Sequence, residues 1–121
     1  KDKIYFDCDK EQIARVFFNL IKNSIESIQQ KNEKNLDFDK KIVIEINDHN
    51  DHIKISIIDN GIGFNNLDNN INEILSPYFT TKKNGTGLGL SIVNKIINDH
   101  NGELSFFSIV DGAKIEIDFI K

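Results

Sequence analysis

The chain has 121 residues and a formal net charge of −4, a length that suits one domain with its own core and a balance that argues against a general nucleic-acid binder. Its one cysteine, Cys8, excludes an internal disulfide and a Cys-based zinc site and suits a cytoplasmic setting. No run of 18 apolar residues is present to span a membrane, and the chain begins with Lys1 instead of Met, which reads as a piece of a longer protein.

Lys3–Asp7 is a short apolar run that reads as an edge strand. Asp9 then caps a helix, with Gln12 three residues later as in a capping box. The helix is expected from about Lys10 to Gln30, because Ile13, Phe17, Leu20, Ser24 and Ile28 recur at helical spacing and form its core face. Asn19 and Asn23 lie one turn apart on its flank. Asparagine is a poor helix former, so two on one line suggest a task. The alternative is a pair of amides bonded to a neighbouring loop.

Asn32–Lys40 is polar and reads as a surface loop. Two strands follow. Ile42, Ile44 and Ile46 alternate with Val43 and Glu45, and Ile53, Ile55 and Ile57 alternate with Lys54 and Ser56, joined by a turn at Asp48–Asp51. Leu104–Ile109 reads as a further strand. Ile115, Ile117 and Phe119 alternate with their polar neighbours in a last one, after a turn at Asp111 and Gly112. Such alternation means one buried and one solvated face, typical of antiparallel pairs, and helices must cover the buried face. The expected fold is a two-layer α/β sandwich with an open sheet face.

Side chains alternate along a strand with period two, so Asp59 continues the inward row of Ile53, Ile55 and Ile57. A buried carboxylate needs a partner. Asn60-Gly61-Ile62-Gly63 follows at once, a turn at which a ligand can approach the backbone. The alternative is an Asp that caps its own turn through the Asn60 and Gly61 N–H groups.

From Phe64 to Asn84 the chain is Asn-rich, with a short helix expected near Asn70–Leu75, and the long irregular polar stretch Asn65–Asn84 reads as a lid. Thr80, Thr81, Lys82 and Lys83 then precede Gly85-Thr86-Gly87-Leu88-Gly89-Leu90, after which Leu88, Ile92, Val93, Ile96 and Ile97 mark a helix running to about Asp99. Glycine admits close backbone approach, and the first N–H groups of a helix have no internal partner, so this junction suits an anion. Asn101 and Gly102 end the helix. The glycine spacing is neither a Rossmann fingerprint nor a Walker loop. His49 and His52 fall at a hairpin and His100 at a helix end, which gives catalytic triads no support.

Four stretches in this order resemble a known family. Asn19-Leu20-Ile21-Lys22-Asn23-Ser24 resembles the N box of GHKL ATP-binding domains, and Asp59-Asn60-Gly61-Ile62-Gly63-Phe64 the G1 box. Pro77–Lys82 resembles the F box, and Gly85–Leu90 the G2 box. The resemblance covers the chain from about Asp7 to Phe119. It points to the catalytic domain of a sensor histidine kinase, similar to the nitrogen-regulation subclass.

That resemblance implies the α+β Bergerat ATP-binding fold over residues 1–121, a mixed, mostly antiparallel sheet with helices on one face. It implies ATP and Mg²⁺ as cofactors. Asp59 would accept from the adenine amino group, and Gly61 and Gly63 would let the base lie against the backbone. Asn23 would hold the metal, and Asn19, Asn23 and Lys82 would serve phosphoryl transfer. Gly85, Thr86, Gly87, Leu88 and Gly89 would offer N–H groups to the phosphates, with Thr81 and Lys82 on the outer ones. The implied partners are a phosphoacceptor and dimerisation domain of the same protein and a response regulator. The parent would be a homodimer acting in the cytoplasm, with membrane anchoring left open. Two other activities stay open, a GHKL ATPase that drives a conformational cycle and a non-enzymatic nucleotide sensor. Four positions depart from the family's usual residues: Ser24 for Ala, Glu26 for a basic residue, Ser76 for an acidic one and Ala113 for Thr.

Overall fold

The computed structural model describes residues 4–34, 38–62, 89–109 and 111–121. Two helices, α1 (Lys10–Lys34) and α2 (Gly89–Asp99), lie with four strands, β1 (Ile42–Asp48), β2 (His52–Asp59), β3 (Gly102–Ile109) and β4 (Gly112–Ile120). The short helix expected near 70–75 and the expected lid lie outside the described residues.

The strands form one sheet in the order β1-β2-β4-β3, antiparallel at all three described pairings. Two local hairpins are thus joined at their inner strands β2 and β4. Both hairpin turns use residues that tolerate a left-handed backbone, Asn50 at φ 68° and Asp111 at φ 59°. Asn101, at φ 59°, turns the chain from α2 into β3 in the same way.

Both helices pack on one face, α1 over β2 and α2 over β3, and they also pack on each other. Val16 and Leu20 from α1 and Val93, Ile96 and Ile97 from α2 meet Ile53, Ile55, Ile57, Ile115, Ile117 and Phe119 from the two central strands. This is the expected two-layer sandwich.

Asp9 caps the start of α1 as its sequence predicts, its Oδ1 accepting from the N–H groups of Glu11 and Gln12, both at 3.1 Å. The Asp9 N–H that a capping box would give to the Gln12 side chain goes to His100 instead. His100 ties this end to the end of α2. Its Nε2 accepts the Asp9 N–H at 3.0 Å, while its Nδ1 faces the Ile96 carbonyl at 2.8 Å, so the proton sits on Nδ1.

Three expectations need correction. Residues 4–7 form no strand; the segment is held by side-chain packing, with the Phe6 ring 4.8 Å from that of Phe119. The helix α1 runs to Lys34 and not to Gln30, because its last polar turns find tertiary partners. Lys31 donates to the Asn60 carbonyl at 2.9 Å and stands 4.7 Å over the Phe38 ring. The isoleucines of β1 are not a buried row. Ile44 and Ile46 pair with Ile57 and Ile55 on the helix-facing side, yet they stay 44% and 51% exposed. β1 is one edge of the described sheet, and the helices lie over β2 and over β3 at the opposite edge.

Candidate functional site

The site is assembled where β2 ends beneath α1. Asp59 closes the inward row of β2, as its period predicts, and is 5% exposed. Its Oδ1 accepts the Gly61 N–H at 2.9 Å. The carboxylate therefore does cap its own turn, but through one N–H group only. The Asn60 N–H goes instead to the Lys41 carbonyl at 3.3 Å. Burial raises the Asp59 pKa above the ordinary carboxylate range. The Gly61 N–H, the Ser24 hydroxyl and the Lys31 ammonium act against that rise, in that order.

The turn after Asp59 is held on several sides. Asn60 Oδ1 accepts the Lys41 N–H at 2.9 Å, and Asn60 Nδ2 donates to the Asp39 carbonyl. From α1, Lys31 reaches the Asn60 carbonyl. The Ile62 N–H points at both Ser27 acceptors, Oγ at 3.0 Å and the carbonyl at 3.3 Å. Gly61 lies so close to α1 that an added Cβ would stand 2.3 Å from Ser27 Oγ and 2.6 Å from the Ser27 carbonyl carbon. It is this close approach that requires glycine. Gly112 is pressed on the same end of β2, where a Cβ would meet the Asp59 carbonyl oxygen at 2.0 Å.

The helix α1 carries the remaining described candidates. Asn19 and Asn23 are half-buried on successive turns, and Ser24 beside Asn23 is buried. Gly89 opens α2 next to Asn19, whose Oδ1 lies 3.9 Å from where a Gly89 Cβ would be. One helix thus borders two features, the buried carboxylate turn beside Ser24, Ser27 and Lys31, and the N-terminus of α2 beside Asn19. Asn23 stands between them in sequence. Among the expected site residues, Gly63, Thr81, Lys82, Gly85, Thr86, Gly87 and Leu88 lie outside the described residues.

The sequence reading missed Ser27, Lys31 and Gly112. Ser24, Ser27 and Lys31 follow an i, i+3, i+7 line along α1, a polar stripe beside the core face that could have been noticed. Its meaning depends on which turn packs against it. His49 and His52 stack at the hairpin with ring centroids 4.7 Å apart, away from this site in the fold, as their place in the sequence suggests. Among the described residues, no group of three or more His, Cys, Asp or Glu side chains could hold a metal by itself.

Residues 8–120 match the family model of the histidine kinase-, DNA gyrase B- and HSP90-like ATPases. The chain belongs to this family. It is 36% identical over 119 residues to a putative NtrY-like sensor histidine kinase of Rickettsia bellii, covering 98% of this chain. It is 35% identical over 122 residues to sporulation kinase A of Bacillus subtilis, covering all of this chain. It spans 18% of the length of each of these relatives. Among solved structures, the nucleotide-free catalytic domain of histidine kinase ThkA aligns with a TM-score of 0.75 at 32% identity, over 94% of this chain and 69% of that one. Within the family, these likenesses place the chain with the catalytic domains of histidine kinases, and the two-layer fold is the one they share.

Proposed function

We propose that the chain binds ATP with Mg²⁺ and delivers the γ-phosphate to a histidine on a separate phosphoacceptor and dimerisation domain. The observation that carries this reading is the Asp59 carboxylate, buried at the end of β2 with only one of its oxygens engaged by the turn. A buried carboxylate is costly unless it receives donors, and the exocyclic amine of adenine is such a donor. Guanine presents a carbonyl at the same position and would be repelled.

The other roles follow the polarity of each group. Gly61, and Gly63 beyond it, would let the base lie flat against the backbone. Asn23 would offer its side-chain oxygen to Mg²⁺ beside the phosphates. The glycine run Gly85–Gly89 would direct N–H groups at the phosphates, and Thr81 and Lys82 would meet the outer ones. When bound, the metal neutralises phosphate charge, which together with positioning is most of what phosphoryl transfer requires. Asn19 would orient the incoming nucleophile. Its amide takes no proton at neutral pH, which favours transfer over hydrolysis and weighs against a GHKL ATPase. The partners of this reading are the phosphoacceptor domain and a downstream response regulator, in a cytoplasmic, homodimeric parent.

Calorimetric titration tests the reading. The chain binds ATP–Mg²⁺ in preference to GTP–Mg²⁺, and Asp59→Asn loses about ten- to a hundredfold in ATP affinity, the worth of one charged hydrogen bond. Unchanged affinity in Asp59→Asn would remove this carboxylate from the site and the reading with it.

A further inference from the structure

Ser24 is 1% exposed, and its Oγ has no hydrogen bond of regular geometry among the described residues. A buried hydroxyl without a partner costs free energy that an alanine at the same place would avoid. It lies one residue after Asn23 on α1, beside the Asp59 carboxylate, whose Oδ1 is taken by the Gly61 N–H. We propose that Ser24 is a positioning residue for base recognition: its hydroxyl donates to the Asp59 carboxylate and aims that group at the exocyclic amine of a purine nucleotide. The inference rests on the nucleotide-binding reading above and adds a residue to it.

The chemistry is a division of labour around one carboxylate. Two oxygens offer about four acceptor directions. The Gly61 N–H fills one, the Ser24 O–H fills a second, and the purine amine takes a third. Each donor stabilises the ionised form, which is the form that accepts from the amine. Lys31 on α1 is the one described charged group acting on Asp59. The strand neighbours, Ile42 on β1 and Ala113 on β4, carry nothing that titrates. Burial holds the Asp59 pKa up, so the carboxylate depends on these donors to stay charged as the pH falls.

The test is equilibrium dialysis of radiolabelled ATP with Mg²⁺ against the 121-residue chain from pH 5 to 8, with thermal melting of each ligand-free variant. Titration of the triphosphate is common to all variants and cancels in the comparison. Ser24→Ala is expected to bind about tenfold more weakly, the worth of one hydrogen bond to a charged group. Its affinity is expected to fall away at a higher pH than that of the wild type, because a donor to the ionised form is gone. Its ligand-free melting temperature is expected to fall relative to the wild type by more as the pH rises, because the lost donor serves the ionised carboxylate. Wild-type affinity and an unmoved pH profile in Ser24→Ala, with Asp59→Asn impaired, would overturn the Ser24 assignment alone. A melting temperature that drops equally at every pH, in step with affinity and with the profile unmoved, would reduce Ser24 to packing and overturn it as well. If Asp59→Asn keeps both the affinity and the pH profile, the nucleotide-site reading itself fails.

Discussion

Substituting Gly61 by alanine tests how the site is built. The new methyl would stand 2.6 Å from the Ser27 carbonyl carbon and 2.8 Å from the Ile28 nitrogen, both backbone atoms of α1. Carbon atoms rest at roughly 3.5 Å, so the turn and the helix must part by about 0.9 Å. The Ser27 hydroxyl, at 2.3 Å, can rotate away, but the helix backbone cannot. The helix is anchored on the core by Val16 and Leu20, both fully buried, so the turn is what yields. Its displacement strains the Ile62 bonds to Ser27 and the Lys31 bond to the Asn60 carbonyl. Overpacking of this kind costs about 1–3 kcal/mol. Urea unfolding of Gly61→Ala should show that loss as a lower midpoint at unchanged slope. ATP affinity should fall as well, because the Asp59 carboxylate shifts with the Gly61 N–H that it accepts. Adding Ser27→Ala should not restore stability, since it relieves the hydroxyl contact and leaves the backbone contacts. Wild-type stability in Gly61→Ala, or full rescue by Ser27→Ala, would refute the close approach as the reason for glycine.

Asp59→Asn should stabilise the ligand-free chain near neutral pH while it weakens nucleotide binding. The folded-state pKa is raised by burial, so the folded chain holds its proton more tightly than the unfolded one. Stability is therefore lost as pH rises from the ordinary carboxylate range through the raised pKa. Melting curves from pH 4 to 8 check this: the wild type should lose stability over that window relative to Asp59→Asn, and parallel curves would count against it. Asn23→Ala should abolish Mg²⁺-dependent transfer to an acceptor domain supplied in trans with its circular dichroism spectrum unchanged. Transfer at the wild-type rate would mean that another group holds the ion.

Where a periodic pattern met a single local cause, the sequence was legible. The inward position of Asp59 followed from Ile53, Ile55 and Ile57 by alternation alone. The Asp9 cap and the turns at Asn50, Asn101 and Asp111 followed from residues whose side chains or backbones suit them. The exposure of Ile44 and Ile46 was hidden, because alternation says which face a residue is on but not how far the helix layer extends over it. The N-terminal segment was read as a strand from its apolar run, whereas Phe6 uses that character against Phe119 without joining the sheet. The clamp of Ser27 and Lys31 on the turn after Asp59 joins residues about thirty apart in sequence, and no local pattern encodes such a contact. The glycine run and its preceding lysine, the clearest signal in the chain, lie outside the described residues apart from Gly89. There the sequence and the resemblance still carry the assignment.

The central claim is phosphoryl transfer to histidine, and following radiolabelled γ-phosphate tests it most directly. The chain alone, with ATP and Mg²⁺, should release phosphate hardly at all and should not label itself. Adding a separate domain that bears the acceptor histidine should give a labelled product that is acid-labile and alkali-stable. Brisk phosphate release by the chain alone, unaltered in Asn19→Ala and without any labelled acceptor, would contradict the account and favour an ATPase.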